Sequence, residues 1–126
     1  MIWAAKFNIW PPSVNAIWRK VGKRTLLSAS GRKFYDTMDN LIRIERSCWH
    51  LPTEPINGDI RVEIKFTPPT LARRDADNFV KGIFDAMTKA KVWHDDSQVQ
   101  RFTVEMSRWK TPGGLVEIWI EEPDRE

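Results

Sequence analysis

Two closely spaced pairs of aspartates, with a lysine between them, fall within 22 residues of this chain, in the segment RRDADNFVKGIFDAMTKAKVWHDDSQV that runs from Arg73 to Val99. Asp75 and Asp77 follow two arginines with one residue between them, Lys81 stands four residues on, and Asp95 and Asp96 close the segment. Hard divalent cations such as Mg²⁺ take oxygen ligands, keep several waters and complete their shells with substrate phosphate, so a few convergent carboxylates suffice. Asp75, Asp77 and Asp96 are of that type. If the chain is extended up to the helix start, Asp75 and Asp77 point to the same side and can share one ion. Asp96 joins them only if the strand that follows it runs beside the strand that precedes the segment. Lys81 lies one helical turn from Asp77 on the same face, placed to stabilise charge developing on a phosphate. These are the parts of metal-assisted phosphodiester hydrolysis.

Each of these residues also has an ordinary structural use, and taken singly that use is the commoner one. Asp77 is a natural helix N-cap and Asp75 a favourable charge at a positive helix end. Asp95 and Asp96 are common turn residues. Lys81 has Asp77 and Asp85 as i,i+4 partners, worth about 0.3 to 0.5 kcal/mol when exposed. Arg73 and Arg74 shift the balance, because arginines beside a metal site grip phosphates. His94 adjoins the second aspartate pair but reads as a surface loop residue.

The elements that must position this segment follow from periodicity. Residues 2–10 alternate and predict a first strand, ended by Pro11 and Pro12. PPSVN reads as an extended or turning segment that delivers Asn15 and Trp18 to a surface. The basic stretch RKVGKR, residues 19–24, reads as a mobile loop with Gly22 at its bend, and residues 25–28 as a short second strand. Ser30 is the expected N-cap of a helix over residues 31–49, with Phe34, Met38, Leu41, Ile42 and the more distal Trp49 as its buried stripe. Residues 59–66 alternate cleanly and predict a strand with Ile60, Val62, Ile64 and Phe66 on the core face. Val80, Ile83, Phe84 and Met87 predict an amphipathic helix over 77–91. Two more strands are expected over 100–106 and 115–121, and a loose tail over 122–126. The sum is a single α+β domain over 1–126, two layers deep, with two main helices on one face of a mixed sheet; the other face or edge is left for a partner subunit.

Composition narrows the class. A chain of 126 residues with 29% charged residues and a mean hydropathy of -0.48 has no apolar run of the ~20 residues that a membrane span needs. The start lacks the basic n-region of a signal peptide, and the single Cys48 forms no internal disulfide, which fits a soluble cytoplasmic protein. The net charge is +3, yet Lys6, Arg19, Lys20, Lys23, Arg24, Arg32 and Lys33 all precede the first acidic residue, Asp36. Such a basic N-terminal third suits a polyanionic partner, although a solvated basic face reads the same way. Most of the seven tryptophans are expected in the core or in dimer contacts.

With these residues in view, the chain resembles the RusA-type Holliday junction resolvases, a family of crossover junction endodeoxyribonucleases. The likeness rests on Arg73 to Val99, with its Asp-x-Asp-Asn, the lysine four residues on and the closing Asp-Asp-x-Gln-Val, and is supported by WPPSVN and by residues 28–35. Trp93 and His94 depart from the more apolar pair usual before the second aspartates. The resemblance implies a RusA-like fold and a homodimer that binds four-way DNA junctions and makes paired symmetric nicks with Mg²⁺, or Mn²⁺ in its place. It implies Asp75, Asp77 and Asp96 as metal-holding catalytic carboxylates, Lys81 as the catalytic lysine, Asp95 as a supporting member and Arg74 as a basic residue at the DNA. Arg73, Asn15 and the loop residues Arg19, Lys20, Lys23 and Arg24 are the further expected DNA contacts. The alternatives are a non-catalytic module of the same fold that binds branched DNA such as flaps or forks, and a plain interaction domain in which the aspartates are caps.

Overall fold

A computed structural model describes residues 1–123, so the part of the expected tail from 124 onward lies outside the described residues. Strand β1, Trp3–Phe7, buries Trp3, Ala5 and Phe7 and is shorter than the alternation suggests. Ile9 closes a tight turn onto the Phe7 carbonyl (2.9 Å), which ends the strand ahead of the prolines. The segment expected to be extended or turning does turn: it forms one helical turn, α1, Val14–Ile17, whose Ile17 is fully buried. The basic stretch is a β-ribbon rather than a loop: β2, Trp18–Val21, pairs antiparallel with β3, Arg24–Leu27. Gly22 supplies the left-handed φ of +63° that this two-residue turn requires.

Helix α2, Ala29–Trp49, starts two residues earlier than the Ser30 cap implies. Its cap is Ser28, whose Oγ accepts from the Gly31 amide at 3.0 Å. Ser30 turns its hydroxyl to the Ala16 carbonyl (3.2 Å), a partner that only the packing of α1 brings there. Phe34, Met38 and Ile42 are buried as expected, and Tyr35 joins them. Leu41 is half-buried, and Trp49 lies 69% exposed because the core ends before the helix does.

Strand β4, Ile60–Thr67, leads through a Pro-Pro loop to α3, Asp77–Lys89, and β5, Val99–Met106, returns parallel to β4; β6, Leu115–Glu121, completes the sheet. The strand order is β1-β6-β4-β5, with β6 antiparallel to both neighbours, so the sheet is mixed. Both long helices pack on the face that carries Val62, Ile64, Phe66, Val116, Ile118 and Ile120, which is the expected two-layer α+β arrangement. The opposite face carries a row across all four strands, Lys6, Glu117, Lys65 and Glu105, with ion pairs of 3.9 Å and 3.6 Å at its ends. Of the tryptophans, Trp3 and Trp93 are fully buried in the core, while Trp18, Trp49 and Trp109 are exposed on this chain. No helix among the described residues is long and apolar enough to cross a membrane.

Candidate active site at the start of the second long helix

Helix α3 forms because Phe79, Val80, Ile83, Phe84, Ala86 and Met87 give it one continuous buried face. Gly82 sits on that face where a Cβ would approach Ile17 Cδ1 to 3.0 Å, so the small residue lets α1 pack against it. At the far end, Arg46 of α2 donates to the carbonyls of Ala90 (3.1 Å), Lys91 (2.8 Å) and Pro52 (3.1 Å), capping α3 from across the layer. The helix is therefore held in its first half and at its far end by residues distant in sequence.

Asp77 is the first residue of the helix proper. Ala76 occupies the cap position with helical φ and ψ of -58° and -37°, and no side chain caps this helix. Capping, the ordinary use of Asp77, is thus not the one it has. The helical turn at Ala76 also removes the extended geometry on which the pairing of Asp75 with Asp77 depended, since the Asn78 amide already bonds back to the Asp75 carbonyl (3.1 Å). In a helical turn, residues two apart diverge instead of sharing a side. Accordingly, Asp75 opens onto a polar depression of about 560 Å³ with Arg73, Arg74, Asn78 and Phe79. Asp77 opens onto a different, largely apolar groove of about 550 Å³ with Val80, Lys81, Phe84 and Phe102. Both carboxylates are exposed, and neither makes a hydrogen bond or ion pair with a described residue.

The second aspartate pair comes to the helix because β5 lies beside β4, as the segment requires. Asp96 begins a 3-10 turn, Asp96–Gln98, directly ahead of β5. Its Oδ2 lies 3.2 Å from Lys81 Nζ, and Asp85 Oδ1 holds the same ammonium at 2.9 Å. The hydrogen bond to Asp85, followed by that to Asp96, raises the Lys81 pKa above the usual lysine value despite partial desolvation, so the side chain is cationic at neutral pH. Asp85 in turn accepts from the Tyr35 hydroxyl at 3.4 Å. Burial, and then the charge of Asp85, push the tyrosine up to about 12. The chain Tyr35, Asp85, Lys81, Asp96 thus aims the lysine from two elements. Asp85 was visible only as an i,i+4 partner, and Tyr35, fifty residues away, gave no sequence signal. Among the described residues, no three His, Cys, Asp or Glu side chains converge on one point. Lys81 lines one groove with Asp77 and pairs with Asp96, while Asp75 lines the other depression.

Asp95 and Gln98 explain the Asp-Asp-x-Gln spacing. Asp95 Oδ2 accepts from the Ser97 amide at 3.0 Å, and hydrogen bonding from the Ser97 side chain, then from this amide, holds its carboxyl below the usual aspartate value. Gln98 Oε1 accepts from the amides of His94 (2.7 Å) and Asp95 (3.0 Å), and its Nε2 donates to the carbonyls of Ile56 (2.9 Å) and Gly58 (2.8 Å). The glutamine therefore pins the turn bearing Asp96 to the loop before β4. His94 is exposed and bonded to Asn57 (2.8 Å), in keeping with a surface role. Trp93, by contrast, is fully buried and donates to Thr88 Oγ1 at 2.7 Å.

The basic residues divide in the same way. Arg74 donates to the Thr70 and Ala72 carbonyls (2.8 Å and 2.9 Å) and to Thr70 Oγ1 (2.7 Å), and stacks 5.4 Å over Trp10. Trp10 itself packs on Phe66 and Phe79, so WPPSVN supports the floor of the site. Arg73 is exposed at the rim. Asn15 is exposed on α1, and Arg19, Lys20, Lys23 and Arg24 are exposed on the ribbon.

A paired-strand scaffold that presents this Asp-x-Asp-Asn, lysine and Asp-Asp-x-Gln set agrees with the comparisons. The family described as endodeoxyribonuclease RusA matches residues 9–121. The chain belongs to the RusA endodeoxyribonuclease family. The crossover junction endodeoxyribonuclease RusA of Escherichia coli K12 is 36% identical over 117 residues, covering 93% of this chain and 92% of that protein. The protein of the same name from Shigella sonnei Ss046 shows the same identity and coverage. That of Enterobacteria phage 82 is 35% identical over 117 residues, again 93% and 92% of the two chains. The RusA family match takes in every residue discussed at the site.

Proposed function

We propose that this chain is a metal-dependent endodeoxyribonuclease that resolves four-way DNA junctions by paired symmetric phosphodiester hydrolysis. The observation that carries the reading is the Lys81 ammonium held between Asp85 and Asp96, on the side of α3 where Asp77 lies exposed and unpaired. Asp77 and Asp96 offer the hard oxygen donors that Mg²⁺ or Mn²⁺ prefers, and Asp75 adds a third from the neighbouring depression. When bound, such an ion supplies positive charge to the scissile phosphate and acidifies water. Lys81 donates to a non-bridging phosphate oxygen and stabilises the charge that builds there. Asp85 holds Lys81 by a shorter contact than Asp96 does, so Asp96 can turn to a cation without setting the lysine loose. Arg73 and the ribbon residues Arg19, Lys20, Lys23 and Arg24, with Asn15 at their base, bind phosphates along the DNA arms. Arg74 acts from the floor, holding the loop that carries Asp75.

Symmetric cutting is most simply done by two sites related by a twofold axis, so the working form in this reading is a homodimer in the cytoplasm. The free edge of β5, with Phe102 51% exposed, supports a protein contact. The test is cleavage of a synthetic four-way junction beside a linear duplex of the same sequence, with and without Mg²⁺. Only the junction should be cut, and only with metal. Asp77→Asn should bind the junction and leave it uncut; a fully active variant refutes the assignment, whereas an inert wild type that still binds branched DNA favours the non-catalytic module.

A further inference from the structure

The ribbon β2–β3 carries more than charge. Its register pairs Arg19 with Leu26 and Val21 with Arg24, so one face holds two aliphatic side chains set diagonally between two arginines. Val21 is 47% exposed and Leu26 36% exposed. Phosphate contact needs only the cations, and exposed aliphatics in the midst of a phosphate-binding surface do nothing for it. An isolated two-stranded ribbon is marginal in water, so this one depends on its attachment. The attachment is firm. Ser28 donates from its amide to the Ile17 carbonyl (2.7 Å) and from its hydroxyl to the Ala16 carbonyl (2.6 Å), and Arg32 donates to the Leu27 carbonyl (2.8 Å). Leu27, on the other face of the ribbon, approaches Gly31. Ile17, at the root, packs on Gly82, next in sequence to Lys81. The aliphatic face therefore stands at a set offset from the reacting side of α3.

We infer that Val21 and Leu26 form an apolar wedge that enters the open base stack at the crossover of branched DNA, with Arg19 and Arg24 gripping the flanking phosphates; this rests on the DNA-cleaving reading above. Apolar side chains that part base steps must offset the loss of stacking, a few kcal/mol per step. That cost is least where the stack is already interrupted, as at the exchange point of a junction, and greatest within continuous duplex. A wedge of this kind makes the ribbon a discriminator of branched from linear DNA, while its cations bind both.

The experiment compares wild-type protein with Val21→Ser/Leu26→Ser and with the conservative Val21→Ile/Leu26→Met, using a four-way junction and a linear duplex. Both variants alter exposed side chains, and an unchanged melting curve checks their folding. The serine variant should lose about tenfold of the junction-over-duplex preference, equivalent to about 1.4 kcal/mol, with duplex affinity and salt slope unchanged. The conservative variant should keep the preference. 2-Aminopurine beside the crossover should brighten on binding wild type and much less with the serine variant. An unchanged ratio, an equal loss on both DNAs, or a change in oligomeric mass overturns the wedge; the last would assign the pair to a protein contact. If wild type itself binds both DNAs alike, the functional reading falls and the wedge with it. If wild type prefers the junction and the serine variant keeps that preference, only the wedge falls.

Discussion

Gln98→Ala removes the side chain that ties the turn of Asp96 to the loop before β4. Four hydrogen bonds go with it, to His94, Asp95, Ile56 and Gly58, at 2.7 to 3.0 Å. A hydrogen bond contributes about 0.5 to 1.5 kcal/mol net, and less where water can replace the partner. The amides of His94 and Asp95 and the Gly58 carbonyl are reached by water, whereas the contact to Ile56 is part-buried. One of the four, the bond from the Asp95 amide, is Gln98's half of the capping box of the 3-10 turn. The expected loss is about 2 kcal/mol by urea denaturation, or roughly 6 to 10 °C in Tm for a domain of this size. Junction cleavage at saturating DNA should fall by roughly tenfold or more, because a carboxylate displaced by about 1 Å costs up to 10²-fold in rate. Gln98→Glu sharpens the test. It still accepts from the two amides, but it loses both donors and sets a carboxylate against two carbonyl oxygens, so it should be less stable than the alanine variant. A Gln98→Ala protein within about 0.5 kcal/mol of wild type, or a glutamate variant milder than alanine, refutes the role given to this residue.

Four other outcomes follow from the geometry. A Cβ at position 31 would lie 2.6 Å from the Ile17 carbonyl, which is backbone and cannot yield, so Gly31→Ala should cost about 2 to 3 kcal/mol by denaturant titration. At position 82 the obstacle is the tip of Ile17, and the better helix propensity of alanine, about 1 kcal/mol, offsets it; Gly82→Ala should stay within about 1 kcal/mol of wild type. Tyr35 is held protonated in the fold, with a pKa raised from 10.0 to about 12, so its contribution is complete below pH 10 and is lost as pH rises from 10 towards 12. Tyr35→Phe should therefore flatten the alkaline fall in stability measured by urea titration between those pH values, and an unchanged slope would exclude the effect. Mg²⁺ at millimolar concentration should raise the Tm of wild type and raise that of Asp77→Asn less, since an ion that binds only the native state stabilises it. Equal shifts in both proteins would remove Asp77 from the metal-holding set.

Much of the fold is written in local periodicity. The alternation in residues 60–66 and 115–121 requires strands with one wet face, and the three-and-four spacing of Val80, Ile83, Phe84 and Met87 requires a helix with one dry face. The chemical types in Arg73 to Val99 were equally legible, because carboxylates, a lysine and arginines at close spacing define what chemistry is available wherever the chain goes. Other features were out of reach of any local pattern. The ribbon at residues 18–27 is exposed along its length except at Leu27, so its strands show no apolar alternation to read. Ser28 and Ser30 are equivalent candidates as caps in the sequence, and only the packed structure shows that Ser28 accepts from the Gly31 amide while both hydroxyls reach the Ala16 carbonyl. Trp49 continues the helical stripe beyond the point where the sheet can cover it.

What the sequence determined by itself is the inventory: an α+β chain with a basic arm and two aspartate pairs, one on each side of Lys81. What the tertiary structure decided is how that inventory is divided. The helical turn at Ala76 separates Asp75 from Asp77, a difference of one residue's φ and ψ that composition does not encode. The parallel placement of β5 beside β4 carries Asp96 to Lys81, and Tyr35 and Asp85 then hold the lysine there across fifty residues of sequence. Local pattern states which face of an element is buried. Only the packing of those faces against each other states which distant side chains meet.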